Sequence, residues 1–406
     1  MSTSPHDIVI CSPIRSAIGA FQGGLSTIRP DDLLAQLLER LLEKTKIDPN
    51  LIDEVFIGCA NQAGEDNRNI ARMSTVLAGI PYTVPAVTVN RLCASGLEAV
   101  VQAYRAVRCG AGAMFIAGGV ESMSRAPYVM PRSNVMPKVG NVTIFDTSLG
   151  WRFPNPEMEK QFALEAMGCT AENIVDEMQI SRADQDQFAL QSHQKAISAQ
   201  NSGAFTAEIT PINIAGAKGT VTIVDTDEGP RADTSLEKLA KLRPAFRTNG
   251  SVTAGNSSTL NDGASAMIIC SREAANKYGL QPLARILSTA SAGVHPSTMG
   301  YGPVPATQKA LSHANLSITD IDLFEINEAF AAQSLGVMRK LGIAEEKVNV
   351  HGGAIALGHP LGCSGARILT TLTYALQRHD KRYGVVSLCV GVGQGLSVII
   401  QRDDIC

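Results

Sequence analysis

One stretch near residue 90 indicates the class of fold: Val87-Thr88-Val89-Asn90-Arg91-Leu92-Cys93-Ala94-Ser95-Gly96. Its β-branched start predicts a short strand, and the small residues after Cys93 predict a tight corner. Apolar residues then recur at helical spacing, which predicts a helix; they are Leu97, Val100, Val101, Tyr104 and Val107. A strand that leads through a corner into a helix is a building unit of α/β folds.

Cys93 is predicted to lie at the amino end of that helix. Backbone N–H groups there lack helical partners and the helix dipole favours negative charge, so we expect the pKa of the thiol to be lowered. A free cysteine in this position can also be buried and inert. The context alone therefore leaves two alternatives open, a nucleophile and a packing residue.

Length and composition favour a large folded protein of two or three domains. Of the 406 residues, 45% are hydrophobic and 18% are charged, and the net charge is −3 without a long basic run. We therefore expect no nucleic-acid partner and no association with an anionic membrane surface. No apolar run is long enough to span a membrane, and residues 1–7 lack the features of a secretory signal.

The cysteine pattern bears on compartment and on metal binding. The nine cysteines are scattered, with no CxxC pair and no cluster of histidine and cysteine. This pattern argues against a zinc site and predicts reduced thiols in the cytoplasm.

Strands and helices alternate over the first 121 residues, which predicts mainly parallel sheets. The predicted strands are 8–10, 52–58, 87–89 and 113–117, the last closed by Gly118-Gly119, and the other predicted helices are 31–42 and 69–77. From residue 122 the pattern becomes irregular: prolines interrupt 124–150, and 230–243 is charged. Within this part we predict helices at 158–168 and 184–199 and a strand at 221–224. We expect a loop domain at 122–249, inserted in a first half (1–121 and 250–275) and followed by a second half (276–406).

An internal repeat relates the two halves. The second copy begins with a predicted strand at 348–350 and a glycine-rich corner at 352–365. A helical pattern and a strand at 385–388 follow, and then Cys389 and Gly391. Two similar α/β units packed together would direct the ends of their strands into one cleft, where such sheets bind ligands.

Four groups that are distant in sequence would meet in that cleft: Cys93, Asn327-Glu328, His359 and Cys389. Each has a structural alternative when taken alone. His359 could be a hydrogen-bonded core histidine, Cys389 a small hydrophobic residue, and Asn327-Glu328 a helix N-cap. Their joint occurrence favours a catalytic site.

The segments around these groups resemble the thiolases over essentially the whole chain. They are 90–96, Asn327-Glu328-Ala329-Phe330, 352–360 with Gly358-His359-Pro360, and Cys389-Val390-Gly391-Val392-Gly393, in the order of the family. The resemblance implies the thiolase fold and an acyltransferase that cleaves a 3-oxoacyl-CoA with a second CoA. Coenzyme A would be a substrate, no metal or redox cofactor would be required, and the protein would be a homodimer or homotetramer.

By this resemblance, Cys93 is the nucleophile that is acylated and His359 accepts its proton near neutral pH. Cys389 is the second acid and base, with a pKa near that of another thiol. Asn327 would hold a water that forms one oxyanion hole with His359. The backbone N–H groups of Cys93 and Gly391 would form the other.

The resemblance also implies contacts to coenzyme A. Arg231 would lie by the adenine, although a solvated surface charge is the alternative. Ser258 would contact the pantetheine, whose tunnel would be lined by Phe246, Met167 and Phe330. Ala166 and His351 depart from residues common in the family, and they leave the preferred acyl chain open.

Two further segments, 58–69 and 144–153, resemble thiolases that act on 3-oxoadipyl-CoA. That substrate ends in a carboxylate, so we expect a cation in the acyl pocket, and Arg152 is the candidate. A surface arginine is the alternative for Arg152, and an acetoacetyl-CoA thiolase is the alternative for the chain.

Three other classes fit less well. A ketoacyl synthase would pair its cysteine with two histidines, or with histidine and asparagine, in place of Cys389. A non-catalytic lipid-binding relative would lack one of Cys93, His359 and Cys389. A nucleotide-binding oxidoreductase is disfavoured because no βαβ unit follows the glycines at 391–395.

Overall fold

The computed structural model describes residues 4–132 and 140–403. Its strands are β1 (Ile8–Arg15), β2 (Gly19–Ala20), β3 (Glu54–Gly58), β4 (Ala86–Val89), β5 (Met114–Ser122), β6 (Tyr128–Val129), β7 (Phe145–Asp146), β8 (Ile212–Ala215), β9 (Val221–Val224), β10 (Asn261–Ser271), β11 (Pro282–Gly293), β12 (Leu323–Ile326), β13 (Tyr383–Val390) and β14 (Gln394–Arg402). Its helices are α1 (Pro30–Thr45), α2 (Ile70–Leu77), α3 (Ser95–Arg108), α4 (Pro156–Gln161), α5 (Met167–Met178), α6 (Arg182–Asn201), α7 (Leu236–Ala240), α8 (Arg272–Lys277), α9 (Pro303–Ala314), α10 (Ala331–Leu341), α11 (Ala354–Leu357) and α12 (Leu361–Arg378).

The predicted repeat is visible in the order of the strands. The main sheet runs β12-β13-β14-β11-β1-β10-β5-β3-β4, with β2 beside β10. Read outward from the centre, the first half has β1, β10, β5, β3 and β4, and the second has β11, β14, β13 and β12. Parallel pairs β3·β4, β3·β5 and β12·β13 lie at the outer ends, and the central pairs are antiparallel.

The two halves share one sheet. The first strand of each half, β1 and β11, pair antiparallel, with Val9 opposite Arg285 and Ile10 opposite Ala284. This pairing joins the sheets because both strands would otherwise be edge strands with unpaired backbone groups.

Helices cover both faces of the sheet, and strand alternation assigns each side chain to one face. In β1, Val9 packs with α1 and α2 in one cluster, whereas Ile10 packs with α3 and α12 in a second. In the second half a third cluster joins β12 and β13 to α9 and α10. The helices α3 and α12 therefore lie side by side between the two halves, and the residues before both helices are brought together.

Several boundaries differ from the prediction. The strand β5 continues through Gly118-Gly119 to Ser122, because β10 pairs with it as far as Ser122, whereas β3 pairs with it as far as Gly119. The predicted strand at 348–350 is reduced to one bridge between Phe324 and Val348. The predicted helix at 158–168 is two helices, α4 and α5, since Phe162 has extended backbone.

The region 122–249 contains α4 to α7 and two short hairpins, β6·β7 and β8·β9. Residues 133–139 of the predicted irregular segment lie outside the described residues. The three-part division at residues 121, 249 and 275 stays a prediction. No helix in the described ranges combines the length and apolar character needed to cross a membrane.

Candidate active site

The corner before α3 fixes the position of Cys93. The side chain of Asn90 accepts the N–H of Leu92 at 2.9 Å and donates to the carbonyl of Ala60 at 3.0 Å. Ser95 accepts the N–H of Arg91 at 2.8 Å and donates to the carbonyl of Leu92 at 2.7 Å. These local bonds hold Cys93 in a 3₁₀ turn directly before α3, as the sequence predicted.

The pKa of Cys93 moves in the direction opposite to the expectation. Burial raises the pKa of the Cys93 thiol to about 11, and the backbone N–H groups of Gly391 and of Cys93 itself only partly offset this. The N–H groups do lower the pKa, but removal of the thiolate from water outweighs them. In the free protein the sulfur is therefore a thiol, and a thiolate requires a nearby proton acceptor.

Cys389 lies at the end of β13, near Cys93. Its side chain is 1% exposed and packs in a cluster with Phe330 and Met167. Burial first, and then the neighbouring Cys93, raise the pKa of the Cys389 thiol far above its usual range. The expected match with the pKa of an ordinary thiol is therefore wrong for the free protein, since sequence patterns do not report desolvation.

His359 is buried and its ring is fixed by hydrogen bonds at both nitrogens. Ser364 donates to the carbonyl of Pro360 at 2.8 Å, so its oxygen accepts from Nδ1 of His359 at 2.6 Å. That arrangement leaves Nε2 with its lone pair, which accepts from the amide of Asn327 at 3.3 Å. The imidazole is thus oriented as a base at Nε2.

Burial, with a further contribution from Arg367, lowers the pKa of His359 to about 3. The expectation of a ring that titrates near neutral pH is therefore wrong. The ring is neutral at physiological pH and available as a proton acceptor.

Asn327 and Glu328 follow β12, and neither caps a helix, because α10 begins at Ala331 and is preceded by Phe330. The N–H of Asn327 donates to Ser387 on β13 at 3.0 Å, which places Asn327 beside the strand that ends in Cys389. Oδ1 of Asn327 is buried and has no protein donor within the described residues. It is therefore free to accept a hydrogen bond from a water or a substrate.

Glu328 has a structural role. Its carboxylate accepts from Ser192 and Asn349, each at 2.7 Å, and from the N–H of Ile355 at 3.1 Å. These bonds fix the loop that leads to His359.

Most of the residues assigned to pantetheine binding lie together. Met167 and Phe330 share the cluster of Cys389. The ring of Phe246 meets that of Phe330 edge-on, with centroids 5.9 Å apart. Ser258 is joined to this group because its N–H donates to the carbonyl of Ala329 at 3.0 Å.

Arg231 lies elsewhere, at a surface cleft that His193 also lines. Its backbone N–H donates to Nδ1 of His193 at 3.2 Å, and its side chain is exposed. A position at the mouth of a long ligand is compatible with this exposure, but the contact to adenine stays a prediction.

Arg152 is neither a free surface charge nor a residue with all its donors available. Nη2 donates to the carbonyl of Asn61 at 2.7 Å, and Nη1 donates to the Asn61 side chain at 2.9 Å and to the carbonyl of Thr147 at 3.2 Å. It ties the inserted region to the loop after β3. Its role in the acyl pocket stays a prediction.

Glu121, at the end of β5, was not singled out in the sequence. Its carboxylate accepts the N–H groups of Ala60 at 2.9 Å, Asn61 at 3.2 Å and Gly362 at 2.7 Å. Burial raises its pKa to about 7. It joins the loop after β3 to the first turn of α12, and the long-range partners that define this role are not visible in sequence.

Cys59, Asp66 and Glu121 form a group of three possible metal ligands among the described residues. The oxygens of Glu121 are occupied by the three N–H groups above. Those of Asp66 accept the N–H of Gln62 at 3.0 Å and of Gly64 at 2.9 Å. The donors around these carboxylates are backbone amides, so the group fits a structural anchor better than a metal site.

Two further residues, which were not predicted from the sequence, position His359. Ser364 fixes its tautomer, and Asn261 accepts its backbone N–H at 3.0 Å. Ser364 lies inside the glycine-rich corner, so its place five residues after His359 was a usable signal. Asn261 is far from His359 in the sequence, so no local pattern indicated this contact.

Family models match nearly the whole chain: the thiolase N-terminal domain over residues 8–273 and the thiolase C-terminal domain over residues 280–402. The Beta-ketoadipyl-CoA thiolase of Pseudomonas aeruginosa is 53% identical, over 98% of this chain and 99% of that protein. The 3-oxoadipyl-CoA/3-oxo-5,6-dehydrosuberyl-CoA thiolase of Escherichia coli K12 is 52% identical, over 98% of this chain and 100% of that protein.

A solved structure shows the same fold. The acetyl-CoA acetyltransferase of Bacillus anthracis aligns with a TM-score of 0.93 at 41% identity, covering 99% of this chain and 100% of that chain.

Proposed function

This chain belongs to the thiolase family of acyltransferases, and we propose that it cleaves 3-oxoadipyl-CoA with coenzyme A to give acetyl-CoA and succinyl-CoA. Full-length identity above 50% to relatives with names of this activity supports the substrate. The observation on which the proposed chemistry rests is the meeting of Cys93, the Gly391 N–H and Cys389. The neutral ring of His359 is held by Asn327, whose backbone bonds to β13, the strand that carries Cys389.

In the first half of the reaction, His359 takes the proton of Cys93 and the sulfur attacks the 3-oxo carbon. The bond between C2 and C3 then breaks, and its electron pair passes to the acetyl-CoA carbanion, which Cys389 protonates. The succinyl group remains on Cys93 as a thioester. Cys93, Cys389 and His359 are all neutral in the free protein. The site therefore becomes charged only when protons are transferred during the reaction.

In the second half, the Cys389 thiolate takes the proton of an incoming coenzyme A. The sulfur of coenzyme A attacks the Cys93 thioester, the bond from the carbonyl carbon to the Cys93 sulfur breaks as succinyl-CoA forms, and the Cys93 thiolate takes its proton back from His359. The N–H groups of Cys93 and Gly391 would stabilise the oxyanion at the thioester, and His359 with an Asn327-bound water would stabilise the other. Every step balances with proton transfer alone, so the proposal requires no metal or redox cofactor, and coenzyme A is a substrate.

The acyl end of the substrate is proposed to meet Arg152. Three of its hydrogen bonds hold the guanidinium in place, and its remaining donors could bind the terminal carboxylate of a 3-oxoadipyl group. Acetoacetyl-CoA, which lacks this carboxylate, is the alternative substrate; an acetyl-CoA acetyltransferase of Pseudomonas aeruginosa is 48% identical to this chain.

Thiolysis rates on 3-oxoadipyl-CoA and acetoacetyl-CoA, compared between the wild type and Arg152→Ala, test this proposal. We expect 3-oxoadipyl-CoA to be the better substrate and to lose kcat/KM by about 10-fold or more in the variant, because a charge-assisted hydrogen bond is lost. Acetoacetyl-CoA should lose much less. Equal losses on both substrates would contradict the role of Arg152, and a better rate on acetoacetyl-CoA would favour the alternative.

We further propose that the protein self-associates as a homodimer or homotetramer. The edge strand β4 is half-exposed along its length, and Met73, Val76 and Leu77 on the adjacent α2 are about half exposed as well. An open strand edge beside apolar side chains favours pairing with a second copy. The eight described cysteines are free, which supports a cytoplasmic location.

A further inference from the structure

Arg367 is a buried cation in the region of His359, the proposed catalytic base. Arg367 on α12 is 0% exposed, and none of its three guanidinium nitrogens has a hydrogen-bond acceptor among the described residues. An arginine offers five N–H donors, and a buried charge without partners is costly, so its presence here calls for an explanation.

The position of Arg367 relates it to His359. Arg367 lies one helical turn after Ser364, so the two side chains share a face of α12. Ser364 holds Nδ1 of His359 at 2.6 Å. On the facing strand, Glu325 lies two residues before Asn327, the residue that contacts Nε2 of His359 at 3.3 Å. Arg367 and Glu325 therefore lie on α12 and β12, the elements that carry or lead to the two hydrogen-bond partners of the His359 ring.

No carboxyl group among the described residues forms an ion pair with Arg367. Arg15, which is also nearby, binds both Glu208 at 2.6 Å and Asp227 at 2.7 Å, and burial raises the pKa of Glu208. Burial raises the pKa of Glu325 to about 8, so this carboxyl is largely protonated at neutral pH. Glu325 makes no ion pair with Arg367, and its Oε1 has no hydrogen-bond partner in the described part of the chain.

The remaining ionisable groups around Arg367 and Glu325 are Glu328, Lys195 and a thiol. Cys363, on the same helix, lies near Arg367, and burial raises its pKa to about 12. Cys93 and Cys389 are neutral in the free protein for the same reason. Arg367 is thus the charge that acts on His359 most directly.

We propose that Arg367 is a positioning residue for thiolysis: its buried positive charge adds to the effect of burial in opposing protonation of the His359 imidazole, which takes the proton of Cys93. The proposal rests on the role proposed above for His359. A protonated His359 would have to form next to Arg367 with little solvent between them, which the repulsion of two like charges opposes. The charge also limits how long the proton stays on the ring, and so favours its return.

The test compares Arg367→Met with Arg367→Lys and Glu325→Gln. The methionine removes the charge but keeps a long side chain, the lysine keeps the charge, and the glutamine keeps the uncharged state of Glu325. The pH profile of kcat/KM is measured for thiolysis of acetoacetyl-CoA and 3-oxoadipyl-CoA. We expect the acidic limb of Arg367→Met to move to higher pH by about one unit or more. Arg367→Lys and Glu325→Gln should keep the limb of the wild type.

The proposal would be overturned if Arg367→Met folds and its acidic limb in the pH profile of kcat/KM lies where that of the wild type does. It would also be overturned if the limb of Glu325→Gln moved upward by the same amount, since that would indicate a general packing effect. If Arg367→Met does not fold, NMR titration of the His359 ring compares wild type, Arg367→Lys and the uncharged Arg367→Gln: a ring that is protonated at higher pH only in Arg367→Gln supports the proposal, and the same titration in all three overturns it. Absence of thiolysis in the wild type would instead contradict the proposed function, so the two failures are distinguishable.

Discussion

Equivalent strands of the two halves, β5 and β13, end in very different groups. β5 ends near Glu121, whose carboxylate accepts three backbone N–H groups and joins two loops. β13 ends near Cys389, which packs among apolar side chains beside Cys93. The same place in the repeated fold is thus an anchor in one half and a reactive group in the other. A duplicated scaffold can assign structure and chemistry to separate copies.

The largest effects should follow from changes to the two thiols. Cys93→Ala should lower thiolysis by a factor on the order of 10³ or more and abolish the acetyl adduct formed with acetyl-CoA, since the nucleophile is gone. Cys389→Ser should lower turnover by about 10²- to 10⁴-fold but keep the adduct, because its role is proton transfer. Intact-mass spectrometry and steady-state rates measure both. An adduct on Cys93→Ala would show that the acyl group is attached to another residue.

Glu121→Gln should affect stability more than chemistry. The amide would place an N–H donor against a backbone donor, which costs about 1–3 kcal/mol. Burial raises the pKa of Glu121 from 4.5 to about 7, so the folded state binds its proton more tightly than the unfolded chain. This contribution is therefore fully present below pH 4.5 and is lost as the pH rises to about 7, by roughly 3 kcal/mol.

Melting temperatures of the wild type and Glu121→Gln across that pH range are the measurement. The advantage of the wild type should be greatest at the acid end and smaller above neutrality. A difference that grows with pH would mean that Glu121 is ionised throughout, and the anchor would then depend on charge.

The smallest effect concerns the backbone beside each reactive group. Leu92, before Cys93, has φ 46°, and Val392, after Gly391, has φ 64°. A β-branched residue in this region is strained by about 1–3 kcal/mol, whereas glycine is not. Val392→Gly should therefore leave the melting temperature unchanged or slightly raised, as strain relief is offset by about 0.5–1 kcal/mol of chain entropy. A clear loss of stability would show that the valine side chain packs more tightly than its 37% exposure suggests.

Much of the fold followed from local patterns. Periodicity located α1, α2, α3, α6 and α12. In the structure Asn69 and Ser181 cap α2 and α6 by accepting the N–H groups of Arg72 and Asp184. The predicted boundaries were wrong where a neighbouring strand decided them. β5 extends to Ser122 because β10 pairs with it that far, and residues 348–350 form no strand because they make only one bridge to β12.

For the site, residue types and their order along the chain nominated Cys93, Asn327, His359 and Cys389, and the resemblance to the thiolases added Gly391 and the predicted roles. The ionisation states were not accessible in this way. Burial reversed the expected pKa of Cys93 and moved that of His359 far from neutrality.

The sequence by itself determined the α/β class, the repeat and the chemical groups, because these depend on local spacing and side-chain type. The tertiary structure decided which groups share a solvent-free space, which carboxyl became an anchor, and which charge lies behind the imidazole. Those properties depend on long-range contacts and on the loss of water around each group, and neither is encoded in any short stretch of the chain.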